Sequence, residues 1–445
     1  MKLSDAAKAM YGELKGKNAY FYGGASDTRK LKPGELFFAW QGENFDAHDF
    51  LESAEANGAI AAVVERFVPS AEIAQIVVKD SQKALAQIAK AWRKNWQGKC
   101  IALTGSNGKT TLKEMLATIL GVKYDVLATE GNYNNHVGCP LTLLQLSGHH
   151  THAVVEMGAS NPKEIDFLTK IVQPDIAILN NAGSCHLEGF GDLEGVAKAK
   201  AEIFNGLSRE GWAIINADDP FATYWKEVAK DHQILTFGIE KSADVSAADI
   251  VGREFTLCYQ DQSVRVSLNL LGRHNILNAL AAAAAAIAAG EELTTIKEGL
   301  EQLKPVAGRL QTLALKENAQ IVNDAYNANP NSLRAGIDAF NEGERWLVLG
   351  DMRELGKDEV AIHQASGKYA KEAGFARLFA LGELALHAAE SFGEGASHYT
   401  SHEALLKELT VGIEEHQSPT MLTILVKGSN SMNMQFFIQQ LTSQK

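Results

Sequence analysis

The segment 104–111, TGSNGKTT, restricts the fold of this chain more than any other feature of the sequence. The apolar run before it, 100–105, has the composition of a buried strand, and the apolar residues between 112 and 119 recur at helical spacing. A strand, a glycine-containing loop and a helix in this order form the phosphate-binding loop of many α/β proteins. The sequence therefore predicts a nucleotide-binding α/β domain around this segment.

Each residue type in this loop has a physical role in binding phosphate. Gly105 and Gly108 allow the backbone to approach phosphate oxygens, and the N–H groups at the start of the helix point at the anion. Lys109 is expected to neutralise phosphate charge, and the Thr110 hydroxyl to bind Mg²⁺. The strict glycine–lysine pattern fails by one residue type, so a surface turn before a helix remains the alternative. The candidate ATP-binding residues here are Thr104, Gly105, Ser106, Asn107, Gly108, Lys109, Thr110 and Thr111.

Composition and charge exclude several classes of function. A length of 445 residues suggests about three domains. The net charge of −12 and the lack of a basic stripe argue against nucleic-acid binding. No apolar run has the ~20 residues of a membrane helix, and the N-terminus lacks a secretory pattern. The four cysteines form no CxxC pair, which favours a reducing compartment. We therefore expect a cytoplasmic protein that binds neither nucleic acid nor membrane, and a monomer, because nothing in the sequence demands an oligomer.

Three segments with different hydrophobic patterns predict an α/β fold of three domains. Residues 1–97 contain short strand-like runs and a helix, and predict a small α/β module. Residues 98–308 alternate strand-like and helical patterns, as in a doubly wound P-loop domain. Residues 309–445 restart this alternation and predict a Rossmann-like α/β domain. In open parallel sheets ligands gather at the carboxyl ends of the strands, so candidate residues are sought there.

Apolar runs bounded by turn residues predict the individual elements of these domains. A helix is predicted to begin near residue 81, with Asp80 or Ser81 as its N-cap. Residues 245–271 predict a β-meander, and the alanine-rich stretch 276–289 predicts a buried helix, because small side chains allow close packing. Strands are predicted at 36–40, 60–65, 76–78, 100–105, 152–158, 175–183, 211–218, 345–352, 377–382 and 422–429.

The phosphate loop and the motifs that follow it resemble the Mur ligase family over nearly the whole chain. TGSNGKTT is the loop variant of this family and of the folylpolyglutamate synthetases. The segment 131–140 is similar to the family pattern GNxNNxxGxP, residues 272–278 are similar to its nucleotide-contacting segment, and Gly308-Arg309 is similar to its hinge-side arginine. The resemblance implies further ATP-binding roles for Asn134, Asn275 and Arg309, and a substrate-binding role for Asn135.

The same resemblance implies a site for two Mg²⁺ ions. Glu156, His186 and Lys200 match the family's metal-site pattern, which with Thr110 gives four candidate ligands. A lysine ammonium is a poor Mg²⁺ ligand, so the resemblance implies that CO₂ carbamylates Lys200. That modification needs a neutral amine and hence a desolvated site. Spacing alone would favour a solvated Lys200 beside Lys198. The candidate catalytic residues are Lys109, Glu156, His186 and Lys200.

Two further regions resemble the branch of the family that adds D-alanyl-D-alanine. The segment 323–332, NDAYNANPNS, is close to that branch's NDxYNANPxS signature, and 349–356 fits its following strand. The resemblance implies ATP-dependent joining of D-alanyl-D-alanine to UDP-N-acetylmuramoyl-tripeptide through an acyl phosphate, in peptidoglycan synthesis. It implies ATP contacts from Asp324 and Asn329, which could otherwise be plain turn residues. The implied substrate-binding residues are Ser26, Asp27, Thr28, Arg29, Gly42, Asp46, His48, Asn135, Tyr326 and Asn327.

Several positions depart from the family pattern, and other functions remain open. Thr28 stands where serine is commoner, and Ala47 replaces the usual glycine. Asn430 stands where the family often has arginine, which removes a positive charge from a possible substrate contact. Asp27 and Arg29 could form a plain surface ion pair. The alternatives are a sister ligase that adds a different amino acid, or a nucleotide-gated scaffold without ligase activity. The third residue of the tripeptide can be diaminopimelate or lysine.

Overall fold

The computed structural model describes residues 1–43 and 45–443, and its strands form three separate sheets. The predicted three-part α/β architecture is confirmed. No helix in the described part of the chain is long and apolar enough to cross a membrane.

The N-terminal sheet lies within residues 1–97 and has the order β1-β5-β4-β3-β2. All neighbouring pairs are parallel except β1 and β5. Its strands are β1 (Glu13–Lys15), β2 (Gly24–Ala25), β3 (Leu36–Phe38), β4 (Ala61–Val64) and β5 (Gln75–Val77), and its helices are α1 (Leu3–Ala9), α2 (Leu51–Ala56) and α3 (Ser81–Asn95), with a 3₁₀ turn at Ala47–Phe50.

Helix α3 connects this sheet to the rest of the molecule. Its N-cap is Asp80, one of the two predicted alternatives. The Asp80 side chain accepts a hydrogen bond of 2.9 Å from the backbone N–H of Lys83. From the same helix Trp92 donates to the carbonyl of Leu146 at 2.8 Å, and Arg93 donates to the carbonyl of Val172 at 3.0 Å. These bonds dock the helix on the central domain.

The central sheet has nine strands in the order β14-β13-β12-β11-β10-β9-β6-β8-β7. Its strands are β6 (Lys99–Thr104), β7 (Val126–Ala128), β8 (His152–Glu156), β9 (Ile176–Leu179), β10 (Trp212–Asn216), β11 (Gln233–Gly238), β12 (Val245–Val251), β13 (Glu254–Tyr259) and β14 (Gln262–Ser267). Its helices are α4 (Lys109–Gly121), α5 (Gly138–Leu144), α6 (Glu164–Val172), α7 (Leu187–Phe190), α8 (Leu193–Ala201), α9 (Ala222–Val228), α10 (Arg273–Ala289) and α11 (Leu293–Gln302), with a 3₁₀ turn at Glu202–Gly206.

Two predictions for this domain are confirmed, and one of them is extended. The predicted meander forms β12 to β14, which pair antiparallel and continue the large sheet through a parallel pairing of β12 with β11. The alanine-rich stretch forms α10, and residues 279–286 of this helix have no exposed surface. Their small side chains let α10 pack closely on α4 and on the sheet, which fixes the start of α10 beside the phosphate loop.

The C-terminal sheet has the order β15-β16-β20-β17-β18-β19, and only β15 and β16 pair antiparallel. Its last strand in sequence lies at the centre of the sheet. The strands are β15 (Gln311–Lys316), β16 (Ala319–Asp324), β17 (Glu344–Gly350), β18 (Arg377–Leu381), β19 (Ala396–Tyr399) and β20 (Leu422–Lys427). The helices are α12 (Pro330–Asp338), α13 (Glu359–Glu372), α14 (Ala385–Phe392), α15 (His402–Glu415) and α16 (Gln435–Thr442), with 3₁₀ turns at Gly356–Asp358 and Asn430–Met432.

Candidate active site

The carboxyl ends of three adjacent central strands form one wall of the site. In the order β9-β6-β8, strand β6 leads into the phosphate loop, β8 ends at Glu156, and β9 leads into Asn180. The chain reverses direction across the sheet at β6, since β7 and β8 lie on one side of it and β9 on the other. This is the switch point at which open parallel sheets bind ligands.

The phosphate loop is held in shape by two asparagines that follow β9. The side chains of Asn180 and Asn181 each donate to the carbonyl of Asn107 at 3.1 Å, and the Asn181 carboxamide oxygen accepts from the Asn107 N–H at 2.9 Å. Sequence reasoning missed both residues, although a polar pair directly after a buried strand was an available signal. Their side chains hold the backbone of the loop at Asn107.

The start of α4 is open toward the cleft. Gly108 is its N-cap with φ +79°, and no side chain caps the first N–H groups of the helix. A Cβ atom at this position would lie 2.4 Å from the Asn278 carboxamide oxygen, so only glycine fits. Uncapped N–H groups at a helix start bind anions, and the loop therefore has the geometry of a phosphate site.

The Lys109 side chain of the loop lies on the cleft side, whereas the Thr104 side chain lies in the core. The Lys109 ammonium is held over the loop by the carbonyls of Gly105, at 2.7 Å, and Ser106, at 3.2 Å. Burial lowers the pKa of Lys109, and Glu156 partly opposes this effect. The Thr104 hydroxyl instead donates to the carbonyl of Met157 at 2.8 Å in the core. The structure therefore does not bring the Thr104 side chain to the cleft.

A cavity of about 260 Å³ lies on one side of the phosphate loop. It is formed by the loop, the start of α10 and the C-terminal domain. The expected ATP-binding residues that line it are Asn107, Gly108, Thr111, Asn275, Arg309 and Asp324. Asp324 forms a buried ion pair with Lys427, and burial lowers the pKa of this lysine. The size and position of this cavity suit the base and ribose of a nucleotide.

A second cavity of about 530 Å³ lies on the other side of the loop, and we call it the reaction cavity. The two cavities share Asn107, Gly108, Arg309 and Ser332, so one ligand can pass from the first to the second across the loop. Besides the expected residues among those shared, the reaction cavity is lined by the expected residues Ser106, Lys109, Thr110, Asn134, Asn135, Glu156, His186, Tyr326, Asn327 and Asn329.

Glu156 has the environment of a metal ligand. It is 1% exposed, and one carboxylate oxygen accepts a hydrogen bond of 2.7 Å from Asn134, whereas the other, Oε2, is buried without a hydrogen-bond partner. A buried oxygen without a partner is costly, and a hard cation would satisfy it. No three His, Cys, Asp or Glu side chains in residues 1–43 and 45–443 are grouped to hold a metal. The partnerless Glu156 oxygen suits Mg²⁺, which commonly takes its other ligands from phosphate and water.

Lys200 is buried, as carbamylation requires, while Lys198 is exposed. The Lys200 side chain is 1% exposed, and its ammonium has one hydrogen bond, a long one of 3.4 Å to the carbonyl of Ala159. The ring of Phe190 lies 5.5 Å from it. Burial, together with the nearby Lys109, lowers the pKa of Lys200 to about 8. The alternative of a solvated lysine applies to Lys198, which pairs with Glu194 at 2.8 Å.

His186 contacts the C-terminal domain from the wall of the reaction cavity. Its Nδ1 atom pairs with Glu354, and the Ser160 hydroxyl lies 3.5 Å from the same nitrogen. Burial lowers the pKa of His186, and Glu354 acts in the opposite direction. A neutral imidazole is the form that can ligate a metal.

The segment after β16 brings the C-terminal domain onto the phosphate loop. Asn329 caps α12 in a capping box with Ser332, and its amide also donates to the Asn107 side chain at 2.7 Å. Arg309 stacks at 4.1 Å on the ring of Tyr326 and donates to the Thr110 hydroxyl at 3.4 Å. Asn329 is thus both a turn residue and a direct contact of the loop.

The N-terminal candidates lie outside the two cavities. Arg29 forms a double hydrogen bond with Asp27, and its side chain is 86% exposed, so the surface ion pair considered as the alternative is present. This pairing lowers the pKa of Asp27. The next residue, Lys30, donates to the Tyr133 hydroxyl at 2.6 Å. Residues 26–29 therefore lie beside the 131–135 segment that leads into the reaction cavity.

Asp46 and His48 bond each other rather than face the cleft. Asp46 accepts from the backbone N–H of His48 at 3.0 Å and bonds its ring at 2.6 Å, while the other ring nitrogen of His48 accepts from the Glu65 N–H at 3.0 Å. His48 is 3% exposed. Both ring nitrogens are occupied, so the structure gives His48 no position from which to contact substrate. Gly42 lies in the same loop, where its N–H donates to the carbonyl of Phe45 at 2.9 Å.

Replacing Asp46 with asparagine is expected to destabilise the N-terminal domain. Burial raises the pKa of Asp46, but the hydrogen bonds from His48 and the pair with Arg66 outweigh it and lower the pKa to about 2. A depressed carboxyl pKa contributes stability above the unfolded pKa of about 4, and this is lost as pH falls through 2. We expect a loss of about 2 kcal/mol at pH 7 and roughly half of that at pH 3, measured by urea unfolding.

The neighbouring Asp49 provides the control for this experiment. It is exposed in the same 3₁₀ turn, and Asp49→Asn should leave the unfolding free energy nearly unchanged. Equal losses from both substitutions at both pH values would contradict a specific role for Asp46.

Comparison with known proteins gives matches over most of the chain. The Mur ligase family catalytic domain matches residues 22–93, the Mur ligase middle domain matches residues 103–286, and the Mur ligase glutamate ligase domain matches residues 308–430. The UDP-N-acetylmuramoyl-tripeptide--D-alanyl-D-alanine ligase of Escherichia coli (strain K12) is 42% identical over 446 residues, covering 99% of this chain and 98% of the relative.

Solved structures agree with these sequence matches. The crystal structure of MurF from Acinetobacter baumannii has 37% identity and a TM-score of 0.91, covering 99% of this chain and 98% of that one. The crystal structure of MurF ligase from Thermotoga maritima in complex with ADP has 28% identity and a TM-score of 0.82, covering 95% of this chain and 98% of that one. The similarity therefore includes all three sheets and their order along the chain.

Proposed function

Because this chain belongs to the Mur ligase family, we propose that it joins D-alanyl-D-alanine to UDP-N-acetylmuramoyl-tripeptide at the expense of ATP. The product is UDP-N-acetylmuramoyl-pentapeptide, a precursor of peptidoglycan. One observation of the structure supports this most directly. The open start of α4, the buried Glu156 carboxylate and the 326–329 segment of the C-terminal domain all line one cavity.

The reaction needs two steps because a carboxylate is a poor electrophile. First, a carboxylate oxygen of the tripeptide attacks the γ-phosphorus of ATP, the bond to the bridging oxygen breaks, and ADP leaves with its electron pair. Second, the dipeptide amine attacks the acyl carbon, and inorganic phosphate leaves as the amide forms and the amine loses its proton. Positioning and charge neutralisation are the main contributions a protein can make to the first step.

The residues around the phosphate loop can make those contributions. The uncapped N–H groups of α4 and the Lys109 ammonium would hold the phosphates, whose charge grows on the leaving oxygens. Arg309 would add a second positive charge from the opposite domain, since it already contacts Thr110 at 3.4 Å. Asn275 and Asp324 line the neighbouring cavity, where the nucleoside would lie.

Thr110, Glu156, His186 and a carbamylated Lys200 would hold two Mg²⁺ ions. When bound, these ions would supply neutralisation of the phosphate and acyl-phosphate charge. The partnerless Glu156 oxygen and the desolvated Lys200 amine support this assignment. Asn134 would orient the Glu156 carboxylate through its 2.7 Å hydrogen bond.

The flanking domains would bring the other substrates to this centre. Residues 26–29 and Gly42 would contact the UDP-sugar, and Asn135, Tyr326 and Asn327 would contact its peptide in the reaction cavity. All the groups named here come from one chain, and we propose that it acts as a monomer. ATP and nucleotide-sugar substrates place such a reaction in the cytoplasm.

Phosphate release with mass detection of the product tests this proposal. The protein is given ATP, Mg²⁺ and UDP-N-acetylmuramoyl-tripeptide, with and without D-alanyl-D-alanine, and with diaminopimelate or lysine as the third residue. We expect phosphate release that requires the dipeptide, together with the pentapeptide mass. Release only with single amino acids would assign the chain to a sister activity, and ATP turnover without any amide product would favour a scaffold role.

A further inference from the structure

The C-terminal wall of the reaction cavity carries two arginines with different surroundings. Arg309 stacks on Tyr326 and points at Thr110, so its charge faces the phosphate loop. Arg353 lies after β17, beside Glu354, Ser429 and the residues that follow β20, and also lines the cavity. The Arg353 charge therefore faces a part of the reaction cavity that Arg309 does not reach.

Arg353 is held by Asp351 and Ser429, and part of its guanidinium remains exposed. Its Nη2 atom lies 2.8 Å from the Asp351 carboxylate, and its backbone N–H donates to the Ser429 hydroxyl at 2.8 Å. Asp351 has no exposed surface and also accepts from the N–H groups of Leu384 and Ala385. Half of the Arg353 side chain is still exposed to the cavity and solvent. A guanidinium held on one side in this way is prepared to receive an anion on the other.

The neighbouring position 430 carries no charge in this chain. The Asn430 amide donates to the carbonyl of Tyr326 at 3.1 Å, and its backbone N–H donates to the side chain of Asn327 at 3.4 Å. Asn430 thus holds residues 326–327 by hydrogen bonds, and its side chain is neutral. The positive charge at this end of the cavity comes from residue 353.

Glu354, the residue after Arg353, links this end of the cavity to the opposite wall. Its carboxylate pairs with His186 across the cleft, and its backbone has φ +62°, a conformation that is unfavourable for a non-glycine residue. Arg353 is therefore one residue away from a direct contact with the opposite wall. An extended dipeptide spans about 7 Å, so its amine and its carboxylate can contact different residues of the cavity wall.

We propose that Arg353 binds the terminal carboxylate of the incoming dipeptide and selects for it. This rests on the proposed ligase function, in which the dipeptide amine must face the acyl phosphate while its carboxylate points away. Two parallel N–H···O bonds from a guanidinium match a carboxylate and not a neutral amide. Arg353 is a binding and specificity residue and takes no part in bond formation.

The test compares D-alanyl-D-alanine with D-alanyl-D-alaninamide, which lacks the carboxylate, in the wild type and in Arg353→Gln. We expect the wild type to prefer the acid by about 10- to 100-fold in kcat/KM, as for other hydrogen bonds to charged groups. The variant should reduce this preference to about 3-fold or less, chiefly through the KM for the dipeptide. The KM values for ATP and for the nucleotide-sugar should stay within about 2-fold of wild type.

Two further variants separate charge from structure. Arg353→Lys keeps the charge without the paired donors and should retain an intermediate preference for the acid. Adding Asn430→Arg to Arg353→Gln moves the charge to the adjacent position and should restore part of the preference. Arg334→Gln is the matched control, because Arg334 is exposed on α12 and stacks on Tyr369 at 4.2 Å, outside both cavities.

Three results would overturn the inference. One is an unchanged preference for the acid in Arg353→Gln. Another is equal increases in the KM values of all three substrates in that variant, as expected for a purely structural arginine. The third is a wild type that releases phosphate with D-alanyl-D-alanine but uses the amide equally well. Failure of the proposed function would look different, because the wild type would then form no pentapeptide from either dipeptide.

Discussion

Replacing Lys109 with alanine is expected to reduce kcat for pentapeptide formation by about 10³-fold or more, with the fold retained. The Lys109 ammonium lies over the phosphate loop, held by the carbonyls of Gly105 and Ser106. In the described part of the chain the other lysine that lines these cavities is Lys427, which is already paired with Asp324. The backbone N–H groups at the start of α4 remain in the variant. Nucleotide binding should therefore weaken less than turnover, which isothermal titration with ADP can measure beside the phosphate-release assay.

The stability of the Lys109 variant should be close to that of the wild type. Burial lowers the pKa of Lys109, so the charged amine is held in an unfavourable environment and its loss removes that cost. Lys123→Ala is the control, because Lys123 follows the same helix, pairs with Glu291 at 2.9 Å and lies outside both cavities. Turnover near the wild-type value in a folded Lys109→Ala protein would contradict the nucleotide assignment.

The parallel core of the fold could be predicted because its strands are buried on both faces. Strands such as β6, β8 and β17 read as short continuous apolar runs, which the sequence shows directly. The edge strands β7 and β19 were missed, because each has three or four half-exposed residues and no such pattern. The attachment of the meander to the parallel sheet through β11 is a long-range pairing, and no local pattern encodes it.

The candidate site was predictable where a residue follows a strand, and less so where its role depends on distant partners. Sequence motifs predicted Lys109, Glu156 and Asn329, and all three line one cavity in the structure. The partner of Asp324 is Lys427, 103 positions later, and no local pattern joins two residues so far apart. His48 shows a different limit, since its polar side chain resembles a binding group while both of its ring nitrogens are bonded within its own domain.

The second large effect is expected at Lys200, because its environment suits a neutral amine, the form that carbamylation requires. With a pKa of about 8, roughly a tenth of the amine is neutral at pH 7, compared with less than about 0.1% at an ordinary lysine pKa. Only the neutral form attacks CO₂, and the product is an anion whose oxygens could ligate Mg²⁺. Lys109, a nearby cation that lowers the Lys200 pKa, would in turn stabilise that anion.

We expect Lys200→Ala to lose about 10²- to 10³-fold in kcat and to recover part of it when formate or acetate is added, since a small carboxylate can occupy the space of the missing carbamate. Wild-type activity should fall in CO₂-free buffer and return with bicarbonate, and ¹³CO₂ should give a carbamate signal that the variant lacks. Lys198→Ala is the matched control, two residues away and exposed, and should show none of these effects. The absence of rescue, combined with wild-type activity that is insensitive to CO₂, would count against carbamylation and leave Lys200 as a buried cation near the phosphate loop.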